Sequence, residues 1–362
     1  MNERVYNFYP GPATLPLPVL EAAQRELLNY KSTGMSVMEL SHRGKDYEEL
    51  HHETEALIKE ISGAPADYRV LFMGGGASSQ FALVPMNLLT PESEADYIVT
   101  GSFAEKAFEE AGRVGKVHSA ASTRDTNYDR IPDFSEIHLG PNPAYVHITS
   151  NNTIFGTQWH AFPEFPGVPL VADMSSDILS RPFDVSKFGL IYAGAQKNLG
   201  PAGVTVVLIS PELLAKANKN LPAIFQYGTF AKNDSLYNTP ATFAVYIMNL
   251  VLKWIQRNGG LTAMERVNQA KAAYIYDAID ASGGFYRGHA QKKDRSLMNV
   301  TFRLPNEALE EAFVKEAKQA GLVGVKGHRS VGGMRASIYN AMPAEGCQAL
   351  AELMRDFARR NG

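Results

Sequence analysis

A single cysteine in 362 residues leaves no intrachain disulfide and no Cys-rich metal site to consider. That residue, Cys347, lies in Glu345-Gly346-Cys347-Gln348, which reads as the start of a C-terminal helix, so it is assigned to packing. Histidine spacing suited to a metal is missing too: His51 and His52 are adjacent and point to different sides of any helix. No apolar run is long enough to span a bilayer, and Met1-Asn2-Glu3-Arg4 lacks the apolar core of a signal peptide, so a soluble cytoplasmic protein is expected. Acidic and basic residues nearly balance, at a net charge of -3, which gives no reason to expect nucleic acid or an anionic membrane as partner. Internal repeats and low-complexity segments are absent. What is left is an ordinary globular composition, with chain enough for two domains or for one large α/β unit with an appendage.

The chemistry concentrates in residues 189–203. Gly189-Leu190-Ile191-Tyr192-Ala193 reads as a buried strand, breaks into small residues, and presents Lys197 just before the turn Gly200-Pro201-Ala202-Gly203. With another apolar strand at 204–209, such a lysine has to be desolvated or covalently used. Desolvation lowers its pKa and makes it an amine nucleophile. Residues 169–173 form a second buried-strand run, which ends on Asp173. A carboxylate and a lysine at the ends of neighbouring strands, with a glycine-rich turn elsewhere, make up the set needed to hold pyridoxal phosphate (PLP): an amine for its aldehyde, an anion for its pyridinium nitrogen and a phosphate cup.

Other segments fall in with this. Residues 69–73 read as a strand that flows into Gly74-Gly75-Gly76-Ala77-Ser78-Ser79-Gln80 and then a helix, placing free backbone N–H groups where a phosphate is stabilised. The spacing fits neither G-x-G-x-x-G nor a P-loop. Strands at 96–100, 116–120 and 145–149 alternate with helices, so a largely parallel sheet covered on both faces is expected, with ligands at the C-terminal strand ends. Phe103, Thr153, Asp173 and Lys197 all lie at or just past such ends. The turn-rich arm Asn7-Phe8-Tyr9-Pro10-Gly11-Pro12-Ala13 is expected to dock on another element, and residues 17–30 to form a helix. His42 and Arg43 stand just ahead of an amphipathic helix with apolar positions Leu50, Leu57, Ile58 and Ile61, where a cation opposes the helix dipole unless it faces an anion. Asn238-Thr239-Pro240 reads as the start of an almost wholly apolar helix, assigned to the core or a subunit interface. Gly259-Gly260 marks a boundary, beyond which a smaller α+β unit carries Lys326-Gly327-His328-Arg329-Ser330 and Arg335, a candidate anion site and equally a solvated hairpin.

Taken together and in this order, the arm, Ser41-His42-Arg43-Gly44, Gly75-Gly76-Ala77-Ser78, Ala195-Gln196-Lys197-Asn198 and Gly327-His328-Arg329-Ser330 with Arg335 resemble the phosphoserine aminotransferase family, class V enzymes of fold type I. The resemblance runs over essentially the whole chain. It implies a large PLP-binding domain (16–258) with a mostly parallel seven-stranded sheet, a small C-terminal α+β domain (259–362), and an arm (1–15) packing with the small domain. By the same resemblance Lys197 bonds covalently to PLP and shuttles the proton at the substrate carbon. Asp173 pairs with the ring nitrogen, Phe103 stacks on the ring, Thr153 meets its hydroxyl, and Ala77, Ser78 and Gln196 hold its phosphate. Asn238 and Thr239 reach that phosphate from the partner subunit, which makes a homodimer with shared sites. His42, Arg43, His328 and Arg329 read a side-chain phosphate or carboxylate, and Arg335 the α-carboxylate.

The implied substrates are L-glutamate and 3-phosphohydroxypyruvate, the products 2-oxoglutarate and O-phosphoserine. Whether a phosphorylated hydroxythreonine is also accepted stays open. Two positions depart from the family pattern: Phe103 stands where tryptophan is frequent, and Ser78 where arginine is. Another class V aminotransferase, such as the alanine-glyoxylate type, is the nearest alternative, though it has no phosphate for the four cationic loop residues to bind. A desulfurase would need a nucleophilic cysteine on a mobile loop, and a non-catalytic nucleotide-binding scaffold would leave Lys197 unexplained.

Overall fold

The computed structural model describes residues 4–329 and 331–362; Met1, Asn2 and Glu3 of the opening segment and Ser330 of the basic loop lie outside the described residues. Seven strands form the main sheet: β1 (Arg69–Met73), β2 (Glu94–Val99), β3 (Lys116–Ser122), β4 (Pro143–Thr149), β5 (Leu170–Asp173), β6 (Phe188–Gly194) and β7 (Thr205–Ile209). Their spatial order is β1-β7-β6-β5-β4-β2-β3. Neighbours from β3 to β6 pair in parallel, whereas β7 runs antiparallel to both β6 and β1. The expected mostly parallel seven-stranded sheet is therefore present with one reversed strand. The reversal follows from chain length: residues 195–204 are too few for a crossover helix, so the chain turns back beside β6. That short return carries Lys197.

Every residue of β5 and of β7 is buried, as strands covered on both faces must be. One face of the sheet packs Val70, Ile148, Ile191 and Val206 against Val19, Leu50, Ile58, Val245 and Leu252 of helices Leu17–Glu26, Lys45–Ser62 and Thr242–Arg257. The other packs Leu71, Tyr97, Val171 and Val207 against helices that include Gly76–Leu88 and Ser102–Val114. The apolar helix Thr242–Arg257 is thus a core element. Among the described residues no helix is long and apolar enough to cross a membrane. The first helix stops at Glu26, short of the expected residue 30, because Leu28 faces solvent and Asn29, extended, takes the Gly34 N–H on its side chain to start a turn.

The C-terminal third builds a three-stranded antiparallel sheet from Arg287–Gly288, Asn299–Arg303 and Met334–Ser337 against helices Gly260–Asp280, Glu307–Gln319 and Ala344–Asn361. Ile275, Phe302, Phe313, Leu350 and Met354 form its core, with Cys347 buried among them. Phe8 of the N-terminal arm is fully buried in the same cluster, and strand Tyr6–Asn7 pairs in parallel with Leu322–Val323. Burial of one phenylalanine contributes about 1.5–3 kcal/mol, enough to hold the arm down.

Candidate active site

Four connections at one end of the main sheet bring the site together. Asp173 closes β5, Lys197 follows β6 by three residues, Thr153 sits in the tight turn after Asn151–Asn152, and Phe103 opens the helix after β2. Lys197 Nζ donates to Thr153 Oγ1 at 2.9 Å and stands 5.3 Å from the centroid of the Phe103 ring. Burial pushes the Lys197 pKa down to about 8; the carboxylates of Asp173 and Asp177 oppose the shift and the nearby Arg335 guanidinium adds to it. Asp173 is itself raised above the usual carboxylate range by burial, restrained by Lys197 and by Ser175, whose backbone N–H donates to Asp173 Oδ1 at 2.9 Å. Lysine and aspartate are therefore both desolvated, and the charge of each acts on the other.

The glycine-rich turn does what its sequence suggests. Gly75 adopts φ +87°, outside the reach of most side chains, and a Cβ there would sit 2.6 Å from Ser79 Cβ. The helix Gly76–Leu88 then opens on Gly76, Ala77 and Ser78 with no acidic residue in its first turn, leaving their N–H groups and the positive helix end for an anion. Gln196, half-buried, accepts the Ala13 N–H on its backbone oxygen at 2.9 Å, so the arm lies against the lysine segment.

Positive charge converges from the C-terminal unit. Arg335 is buried on strand Met334–Ser337 with its Nε lacking any hydrogen-bond partner, and burial lowers its pKa. His328 is lowered first by burial, then by the charges of Arg335, Arg329 and Lys106. A buried guanidinium with an unpartnered Nε, and further cations beside it, call for an anion.

Other predicted residues stay apart within one chain. Asn238 and Thr239 are exposed and line a separate cavity of about 400 Å³ with Gly74, Ser79 and Gly203. They do not start the following helix either: it begins at Thr242 with Ala241 in the cap position, and Asn238 Nδ2 donates to the Thr239 carbonyl instead. His42 and Arg43 precede helix Lys45–Ser62 as expected; Arg43 is exposed and His42 Nε2 is buried without a partner. No described hydrogen bond or ion pair joins His42, Arg43, Asn238 or Thr239 to Lys197.

The family model for class-V aminotransferases matches residues 5–350. The phosphoserine aminotransferase of Herpetosiphon aurantiacus is 59 % identical over 358 residues, which is 99 % of either chain. The solved phosphoserine aminotransferase of Bacillus circulans subsp. alkalophilus superposes with a TM-score of 0.98 at 56 % identity over the whole of both chains. A PLP-bound phosphoserine aminotransferase from Trichomonas vaginalis superposes at 0.93 with 39 % identity, covering 97 % of this chain and all of that one.

The chain belongs to the class-V aminotransferases.

Class-V aminotransferases depend on PLP, and the residues described here fit it: an enclosed amine of reduced pKa, a buried carboxylate acting on it, an aromatic ring, an uncapped helix start for a phosphate and, for a carboxylate, a buried arginine whose Nε lacks a hydrogen-bond partner. Sequence reasoning missed Asp177, Asn299 and Tyr339 of this aminotransferase. Asp177 is buried between Ser150 and Gln158 and acts on Lys197. Tyr339 could have been found, since Arg335, Ser337 and Tyr339 share one side of an extended run.

Proposed function

We infer that the chain is a phosphoserine aminotransferase, moving the amino group of L-glutamate to 3-phosphohydroxypyruvate and so making O-phospho-L-serine and 2-oxoglutarate in serine biosynthesis. The observation that carries this reading is full-length identity of 59 % to a relative of that name, joined to the charge of Arg335 acting both on Lys197 and, with Arg329, on His328. PLP, when bound, supplies the electron sink that makes the substrate Cα proton removable. Lys197 Nζ is suited to take and return that proton, because an amine held near 8 populates both protonation states at neutral pH. Asp173, oriented by the Ser175 N–H, is the proposed partner of the ring nitrogen. Phe103 forms one wall and excludes water. Ala77, Ser78 and Gln196 are the proposed phosphate cup, and Thr153 the partner of the ring hydroxyl.

Arg335 is the proposed α-carboxylate site, a bidentate fork already desolvated. His328 and Arg329, with His42 and Arg43, are proposed to hold the distal phosphate or carboxylate, and one cationic cluster can serve both because either anion suits it. The exposure of Asn238 and Thr239 supports a homodimer in which they complete the phosphate cup of the other subunit. Division at 15/16 and 258/259 and a cytoplasmic location belong to the same proposal.

The test is a visible absorption titration of the purified holoenzyme with glutamate, O-phosphoserine and alanine, beside a Lys197→Ala variant. Bleaching by the first two only is expected, with no response and no turnover in the variant. Bleaching by alanine instead would leave the family standing and sink the substrate assignment.

A further inference from the structure

The hairpin that carries the basic residues of the C-terminal unit is tied from outside, by Arg303. Its stem is regular: Met334 pairs with Phe302 and Arg335 with Thr301 across the sheet, and the Arg335 N–H donates to the Val325 carbonyl at 2.8 Å. Its tip is a closed turn. The His328 carbonyl accepts the N–H groups of Val331 and Gly332 at 2.9 and 2.8 Å, and Gly327 N donates to the Gly333 carbonyl at 2.7 Å. Gly332 (φ +75°) and Gly333 (φ +66°) link tip to stem, and a glycine pair is the most permissive link a chain can make. The hydrogen bonds within the tip hold its shape without aiming it.

Arg303 lies across that link. A Cβ on Gly333 would come within 2.3 Å of Arg303 Cδ and one on Gly332 within 3.3 Å of its Nη1, so the arginine occupies the space that two side chains would need. Nη1 donates to the Val331 carbonyl at 3.0 Å. Nε donates to Glu310 Oε1 at 2.6 Å and Nη2 to Oε2 at 3.4 Å, a two-point contact that fixes the plane of the guanidinium and with it the aim of Nη1. Glu310 is itself held: it is buried in the first turn of helix Glu307–Gln319, where the helix dipole favours a carboxylate, and its Oε1 accepts the Leu304 N–H at 3.3 Å. The Val331 side chain packs on the same core as Ala77 and Phe103, so the tip reaches from its own sheet to the face of the main sheet on which those two residues lie.

We propose that Arg303, aimed by Glu310, is a positioning residue that determines specificity. By tying the tip it sets the reach from Arg335 in the stem to His328 and Arg329 in the tip, and so the length of doubly anionic substrate that can span both. This rests on Arg335 holding the α-carboxylate and on His328 and Arg329 holding the distal anion. Arg303 and Glu310 act only through the hairpin, without touching the substrate themselves.

Arg303→Met, which keeps most of the stem and removes the guanidinium, Glu310→Gln and the double variant test this. Trypsin cleavage of the folded holoenzymes after the exposed Lys326, followed by mass spectrometry, reads release of the tip without reference to the reaction, because the Gly327–Gly333 hydrogen bond guards that peptide bond. Steady-state kcat and KM for O-phosphoserine are measured alongside. A tip in place one-tenth of the time raises the apparent KM about tenfold, while saturating substrate restores it and leaves kcat within about twofold. Arg303→Met is expected to show that split, with cleavage faster by roughly tenfold or more. Glu310→Gln should move both readouts less, and add nothing to Arg303→Met. Unchanged cleavage in Arg303→Met, an unmoved KM, or additive effects in the double variant overturns the proposal. If Arg303→Met does not fold, Glu310→Gln decides: faster cleavage with a raised KM supports the tie, and either readout unchanged overturns it. Arg329→Ala separates this from the functional reading. A KM raised by Arg329→Ala and not by Arg303→Met sinks the present proposal alone, whereas a KM unmoved by both sinks the distal-anion assignment with it.

Discussion

Lys271 offers a quantitative test of how this fold tolerates a buried charge. It has no exposed surface, and its Nζ donates to the carbonyl oxygens of Ile338 and Tyr339 at 3.0 and 2.7 Å with no carboxylate among its hydrogen-bond partners. Burial pushes its pKa down to about 8, against about 10.4 for a free lysine. Below the folded value both states are protonated and the folded state bears the whole cost, about 3 kcal/mol for a gap of roughly two units. Between the two values the unfolded chain binds more protons than the folded one, so stability at this site rises with pH.

Lys271→Met removes that titration and leaves the Ile338 carbonyl without its lysine donor, at about 1–3 kcal/mol, while the Tyr339 carbonyl keeps the Met342 N–H at 2.9 Å. Near pH 7.5 the loss and the relief offset one another and the two proteins are expected to melt close together. At pH 10.5 the parent no longer carries the charge and should be ahead by about 3 kcal/mol more than at pH 7.5, or roughly 4–5 °C for a chain of this length. Thermal denaturation of both holoenzymes by circular dichroism across this range, at constant ionic strength, gives the difference. Tyr145, Tyr192 and Tyr227 have pKa values raised well above normal by burial and weaken both proteins alike at high pH, so they cancel. Melting curves that stay parallel to within about 1 °C from pH 7.5 to 10.5 would refute the reasoning.

Gly333→Ala is expected to displace the basic loop: φ there is +66°, and a Cβ would lie 2.3 Å from Arg303 Cδ and 2.7 Å from the Phe302 carbonyl oxygen. Steady-state kinetics should show KM for O-phosphoserine rising roughly tenfold, about 1.4 kcal/mol of binding, with the PLP absorption band retained; an unmoved KM would show that the loop position does not matter. Arg329→Ala should weaken O-phosphoserine use far more than PLP retention, measured by kcat/KM and by equilibrium dialysis, and equal losses would argue against separate phosphate and substrate sites.

The positions of Lys197, Asp173, Phe103 and Thr153 were legible because apolar strand runs bounded by small residues mark strand ends, and such ends gather in an α/β sheet. The direction of β7 was not read, although the short return at 195–204 contains the reason. Residues 17–30 looked continuous because Leu27 and Leu28 extend the apolar count, yet Leu28 is 85 % exposed. Lys271 reads as a surface lysine on an amphipathic helix, since the carbonyls it serves are distant in sequence. Tyr339 could be placed on the Arg335 side of its extended run, but not its acceptor, which lies in the arm, 329 residues away. Asn238 and Thr239 show the opposite error, a good capping sequence that the chain does not use as a cap.

The arm also dictates an order of assembly. Phe8 is made early, but the cluster it enters is built from residues 272–357 and the strand it extends pairs with Leu322–Val323. During synthesis this segment must wait, apolar and unpaired, until nearly the whole chain has emerged. Gly11 and Ala13, which border Lys197 and Gln196, wait with it. A nascent chain can therefore complete its seven-stranded sheet and still lack one wall of its site until the cluster of residues 272–357 has formed.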